Sequence, residues 1–159
     1  ALKNKNTPSA IALSRQKLPY VNPKFSEKNI CENGAYVVKM NSHDNKVTLV
    51  ASGSEVELAL NVHKALKEND IESKVVSMPC QELFDKQSDD FKKDILDEES
   101  LIVTIEAGNI SSWNKYLGVK GMSLGINRFG ESAPYKKVYE HLDLSVEKIV
   151  LSIQERLRK

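Results

Sequence analysis

The chain has 159 residues, 40% of them hydrophobic and 28% charged, and a formal net charge of +1. That length suits one folded domain rather than two, and the composition excludes a disordered chain. The near-neutral balance argues against a nucleic-acid footprint, which needs basic residues gathered on one face. No apolar run reaches the length of a membrane span, so no membrane partner is expected.

The first element in chain order is Ser9-Ala-Ile-Ala-Leu-Ser14, a small and apolar run that reads as a buried strand. Pro19 and Pro23 then punctuate a polar stretch through Glu32 without periodicity, as in a linker or crossover. Residues 35–40 and 47–51 are β-prone runs joined by a turn cluster, and their closeness in sequence suggests a hairpin. After Ser52-Gly53-Ser54-Glu55, the apolar spacing of Val56, Ala59, Leu60, His63 and Leu66 predicts a helix that stops at Asn69-Asp70. Residues 74–79 form a strand ended by Pro79, and residues 82–96 carry scattered anchors suited to short surface helices. Residues 101–105 are the clearest buried strand. Beyond the Gly108 turn, Ser111 or Ser112 is the expected cap of a short helix bearing Trp113, Tyr116 and Leu117. Residues 121–126 are a further strand, the fifth counted from residue 35, and Ser145 caps a final helix with Val146, Ile149, Val150, Ile153 and Leu157 inward. Its basic end, Arg156 to Lys159, complements the helix dipole. Strands apolar on both faces, alternating with amphipathic helices, predict a three-layer α/β domain around a mainly parallel sheet.

Candidate sites are few. The strand–Ser52-Gly53-Ser54-Glu55–helix junction presents backbone N–H groups to an anion, so Gly53, Ser54 and Glu55 are a candidate anion site. The junction lacks the spacing of a nucleotide loop, and a plain turn with Ser52 or Ser54 as N-cap also accounts for it. Arg15 immediately follows the first predicted strand, where a planar guanidinium suits a phosphate; a surface or interface arginine is the plainer alternative. Glu106 sits at the carboxyl edge, where α/β proteins place ligands, and with Gly108 it shapes either a site or only a loop. His43, His63 and His141 have no partners at the spacing of a triad or metal site, and His63 reads as a structural residue. Trp113 is expected to be a core or interface anchor. The acidic runs Asp89-Asp90 and Asp97-Glu98-Glu99 have no calcium-loop spacing and read as solvated helix ends. Cys31 and Cys80 form neither a disulfide framework nor a zinc motif, which suits a reducing cytoplasm. The opening residues from Ala1 resemble neither an initiator region nor a targeting sequence, so a fragment of a longer chain is expected.

Taken together in order, several segments resemble the transketolases. These are Thr7-Pro8-Ser9 running into Ala12-Leu13-Ser14-Arg15-Gln16, then Ala51-Ser-Gly-Ser-Glu-Val-Glu-Leu-Ala59, then Val75-Val-Ser-Met-Pro79. Phe84-Asp-Lys-Gln87, Glu106-Ala-Gly108, the aromatic pair Trp113 and Tyr116, and Phe129-Gly-Glu-Ser-Ala-Pro134 complete the set. The resemblance covers nearly the whole chain. It implies that residues 1–22 close a preceding pyrimidine-binding domain and link it to a C-terminal domain at 23–159. It further implies a three-layer α/β/α fold with a five-stranded, mainly parallel sheet whose first strand is antiparallel and lies beside the third.

Function follows as an expectation. The family moves a two-carbon ketol unit between sugar phosphates in the pentose phosphate pathway, using thiamine diphosphate and a divalent metal (Mg or Ca), as a dimer. The metal motif and the activating glutamate of the family lie upstream and are not found in this chain. No catalytic residue, metal ligand or bound cofactor is therefore expected here, and the piece alone should be inactive. The resemblance assigns Arg15, with Ser14 beside it, to the phosphate of the sugar-phosphate substrate. Alternatives are the third domain of another thiamine enzyme, such as a 2-oxo acid dehydrogenase β chain or deoxyxylulose phosphate synthase, and a stand-alone anion-binding or assembly module. The motifs at 13–16 and 131–134 together favour transketolase.

Overall fold

The computed structural model describes residues 5–6, 8–14, 16–21 and 29–158. Arg15 and residues 22–28 of the linker, with the 22/23 boundary, lie outside the described residues. The elements are β1 (Tyr36–Met40), β2 (Val47–Ala51), α1 (Glu55–Lys67), β3 (Ser73–Ser77), α2 (Gln81–Asp85), α3 (Asp89–Leu96) and β4 (Leu101–Glu106). A 3-10 helix (Ser111–Tyr116), β5 (Met122–Gly125), α4 (Tyr135–His141) and α5 (Val146–Leu157) follow.

The five strands form one sheet in the order β1-β3-β2-β4-β5. β1 runs antiparallel to β3, and the remaining pairs are parallel. The hairpin expected between β1 and β2 does not form. The crossover through α1 returns β3 alongside β2, and β3 occupies the position a hairpin partner would take. The neighbour implied by the family resemblance is the one observed.

Two apolar layers enclose the sheet, because alternate residues of each buried strand point to opposite faces. On one face Leu49, Val75, Val103 and Ile105 pack with Ala59, Val62 and Leu66 of α1 and Ile149 and Ile153 of α5. On the other, Val50, Val76 and Ile102 meet Phe84 of α2, Ile95 and Leu96 of α3, and Trp113 and Tyr116 of the 3-10 helix. The three-layer α/β/α architecture is thus built by the strands and helices anticipated, with slightly different ends.

The helix ends show what the local sequence does. α1 closes with Asp70 in a left-handed conformation (φ 57°) while the Ile71 N–H reaches Leu66 O at 3.0 Å, a Schellman-type stop in which aspartate replaces the usual glycine. Ser145 caps α5 by accepting from the Lys148 N–H at 3.3 Å, as expected, and Ser88 does the same for α3 from Phe91. Neither Ser111 nor Ser112 caps the 3-10 helix; Ile110 holds the cap position, and Asn109 Oδ1 accepts the Ser111 N–H at 2.9 Å. The amide of Asn109 lies two residues before the N–H it serves, in an Asx turn. Lys74, buried within β3, extends its ammonium to Asp94 O at 2.9 Å, satisfying a carbonyl of the last turn of α3.

The run at residues 9–14 is not a strand. It has no regular structure, and Ile11 and Leu13 are 71% and 84% exposed. A strand needs a neighbour for its backbone groups, and the sheet of this domain ends at β1 and β5. Further along, Val21 packs against the α1/α5 core layer. α4 was not anticipated; it buries no residue fully and so leaves only a weak apolar pattern.

Candidate functional site

The carboxyl ends of β2 and β4 and the start of α1 meet at one edge of the sheet. Gly53 makes the turn out of β2 with φ 53°, a left-handed conformation that glycine adopts without cost. A Cβ there would lie 4.0 Å from the Ser14 hydroxyl, so the amino-terminal segment passes directly over this turn.

The junction carries acid rather than receiving it. Glu55 is buried, and its Oε1 accepts from Ser54 Oγ at 2.7 Å and from the Tyr139 hydroxyl of α4. Ser54 occupies the cap position of α1 but makes no side-chain cap bond, a correction to the expected serine cap. Its hydroxyl is committed to the neighbouring carboxylate instead. The N–H groups of Glu55 and Val56 bond to Ser52 O and Gly53 O at 3.1 and 3.4 Å. The turn therefore consumes donors that an anion at Gly53, Ser54 and Glu55 would require, and Glu55 and Glu57 already place negative charge in the first turn.

Glu106, at the end of β4, receives the Trp113 indole N–H at 3.1 Å on Oε2. Burial raises its pKa, with repulsion from Glu55 adding to the rise and the indole bond opposing it. Tyr139 is likewise pushed above the ordinary phenol range, first by burial and then by its bond to Glu55, both of which favour the neutral phenol. Trp113 is a buried core residue rather than an exposed binding platform. On the opposite layer, Asp85 accepts from Lys115 and from the Tyr116 hydroxyl, and burial together with that bond raises the Tyr116 phenol to about 12. Sequence spacing did not reveal Tyr139 as the partner of Glu55, since the two are 84 positions apart.

The histidines are dispersed. His63 is buried with Nδ1 at 2.8 Å from Ser73 Oγ, and burial lowers its pKa. His141 Nε2 lies 3.0 Å from Glu131 Oε1 at the surface, and His43 is exposed in its turn. Asp89 and Asp90 open α3, and Asp97 closes it in a left-handed conformation (φ 54°). Among the described residues no three His, Cys, Asp or Glu side chains gather to hold a metal ion. The acidic sheet edge is also a poor cradle for a diphosphate. The described residues therefore do not fit a metal-held thiamine diphosphate. Among those same residues, no helix is long and apolar enough to cross a membrane.

Residues 34–145 match the family model described as the transketolase-like TK C-terminal domain. A chloroplastic transketolase of Craterostigma plantagineum is 42% identical over 158 residues, covering 98% of this chain and 30% of its own length. The crystal structure of transketolase from Campylobacter jejuni superposes with a TM-score of 0.73 at 36% identity, covering 83% of this chain and 20% of that one. A Pichia stipitis transketolase in complex with sedoheptulose 7-phosphate gives a TM-score of 0.74 at 29% identity, over 81% of this chain and 18% of that one. The chain thus spans less than a third of the length of each of these relatives.

Proposed function

From the premise that the chain belongs to the transketolase family, as its C-terminal domain, we propose that it works as the third domain of an enzyme transferring a two-carbon ketol unit between sugar phosphates. One observation carries this reading: the stretch matching the family, 34–145, is the stretch that builds the whole five-stranded sheet. In the proposed enzyme a carbon–carbon bond of a ketose phosphate breaks and a new one forms to an aldose phosphate. Thiamine diphosphate with a divalent metal (Mg or Ca) supplies that chemistry from upstream domains of the same enzyme. This domain brings no group to the reacting carbons, and alone it is inactive.

The chain's contribution comes from the segment ahead of that domain and is at the far end of the substrate. Arg15 grips the phosphate with two parallel hydrogen bonds, and Ser14 adds a hydroxyl beside it. Binding energy collected there positions the ketose carbons without touching them. The Pichia stipitis relative, solved with sedoheptulose 7-phosphate, supports a phosphorylated sugar as the ligand class. The apolar side chains left exposed at Ile11, Leu13 and Phe129 are surfaces for the upstream domains and for a second copy in a homodimer. We place the enzyme in the cytoplasm, where the free thiols Cys31 and Cys80 stay reduced. The reading as a stand-alone anion module is weakened by the Glu55 carboxylate, which already occupies the α1 entrance.

The experiment is Arg15→Ala in the full-length enzyme, assayed with phosphorylated and unphosphorylated ketol donors. KM is expected to rise on the order of a hundredfold for the phosphorylated donor, the scale of a lost charge-assisted bidentate contact, and little for the other. Equal losses on both would remove Arg15 from the phosphate site.

A further inference from the structure

The residues on either side of Arg15 are tied to this domain. Ser14 Oγ lies over the Gly53 turn, within 4.0 Å of the Cβ position that glycine leaves empty. Gln16 and Leu18 enter a cleft of about 200 Å³ between α1 and α4, walled by Leu58 and Asn61 on one side and Tyr135 and Tyr139 on the other. Three residues on, Val21 joins the apolar layer under α1 and α5. The walls are themselves braced. Tyr139 is bonded to Glu55, and the Tyr135 and Tyr139 rings meet edge to face at 5.7 Å. A segment without a strand partner is thus held at successive points by side chains of the third domain.

Resting on the phosphate role proposed for Arg15, we propose that the α1/α4 cleft is a seat that positions the phosphate-binding segment, with Leu18 and Tyr135 as positioning residues. Leu18, 38% exposed, lines the cleft midway between the Gly53 turn and the Val21 contact and gives the chain an apolar foothold there. Tyr135 closes the opposite wall. Neither touches the substrate; both act through the described neighbours Ser14 and Gln16. The family's third domain then contributes to substrate selection through a chain segment it clamps, rather than through a ligand site of its own. Displacement of about 1 Å in a positioning element is enough to change rates by two orders of magnitude.

The test uses the full-length enzyme carrying Leu18→Ser or Tyr135→Ala, beside Arg15→Ala and wild type. Both seat variants are expected to raise KM for a phosphorylated donor on the order of tenfold. They should leave KM for an unphosphorylated donor, and kcat for both, near wild type. Leu18→Met, which keeps an apolar side chain on the cleft wall, leaves the phosphorylated-donor KM near wild type. Inorganic phosphate, as a competitor of the phosphorylated donor, weakens in parallel. If Arg15→Ala discriminates between donors while Leu18→Ser and Tyr135→Ala do not, the seat is wrong and the phosphate role stands. A loss shared by both donors in the seat variants means a merely structural role and also overturns the seat. Absence of ketol transfer in the wild-type enzyme, or of discrimination in Arg15→Ala, overturns the underlying reading and the seat with it.

Discussion

Glu106 is the residue at which environment and charge work most plainly against each other. Half-buried and repelled by the Glu55 carboxylate, its carboxyl has a folded pKa above the ordinary value of 4.5. A group raised in this way contributes its stability when protonated, and loses it as the pH climbs through the folded value. The domain should therefore lose stability from pH 4.5 towards neutrality on account of this residue. Glu106→Gln keeps an acceptor for the Trp113 indole and removes the charge, so it is expected to raise the melting temperature at pH 7 and to flatten that decline. Melting curves at half-unit steps from pH 4.5 to 7 check this; a variant that melts below wild type at pH 7 would refute it. Staying above pH 4.5 avoids Asp85, whose pKa is held down chiefly by the Lys115 bond and whose stabilisation disappears only in more acid solution. At this scale the sequence marked Glu106 as edge-facing and His63 as structural. It did not disclose that Ser54 serves Glu55 rather than the helix end, because that choice depends on Tyr139 arriving from α4.

Among the elements, β1 is held in place by a close backbone approach at its entry. Gly34 has φ 84°, and a Cβ there would stand 2.3 Å from Phe84 N and 2.4 Å from Cys80 O. The loop after β3 lies on the glycine, and the Cys80 N–H bonds to its carbonyl at 3.1 Å. Gly34→Ala must displace backbone at α2 and is expected to cost about 3 kcal/mol or more. Gly130→Ala, with nothing within 4 Å of its Cβ, should change stability by less than about 0.5 kcal/mol. Urea denaturation of both variants checks the contrast, and equal effects would contradict it. The buried strands and amphipathic helices were legible because burial on both faces of a strand and on one face of a helix leaves a period in the residues themselves. The partner of β1 was not legible from local pattern, since the turn between β1 and β2 suits a hairpin equally well and the α1 crossover decides. Residues 9–14 misled for a related reason: an apolar run states what it would bury, not whether this domain supplies the neighbour.

For the molecule as a whole, the arrangement is a scaffold with an acidic sheet edge and an amino-terminal segment laid across it. Two core layers close over β2, β3 and β4, and the apolar side chains left outside include Phe129 at 98% exposure. The described residues offer neither a metal donor set nor a cradle for a diphosphate. The central claim is met most directly by one measurement. Ketol transfer is assayed with thiamine diphosphate and a divalent metal, using the natural gene product and the 159-residue chain in parallel. The account predicts turnover by the natural product and none by the isolated domain. Turnover by the isolated domain would contradict it, because the cofactor site would then lie within this chain.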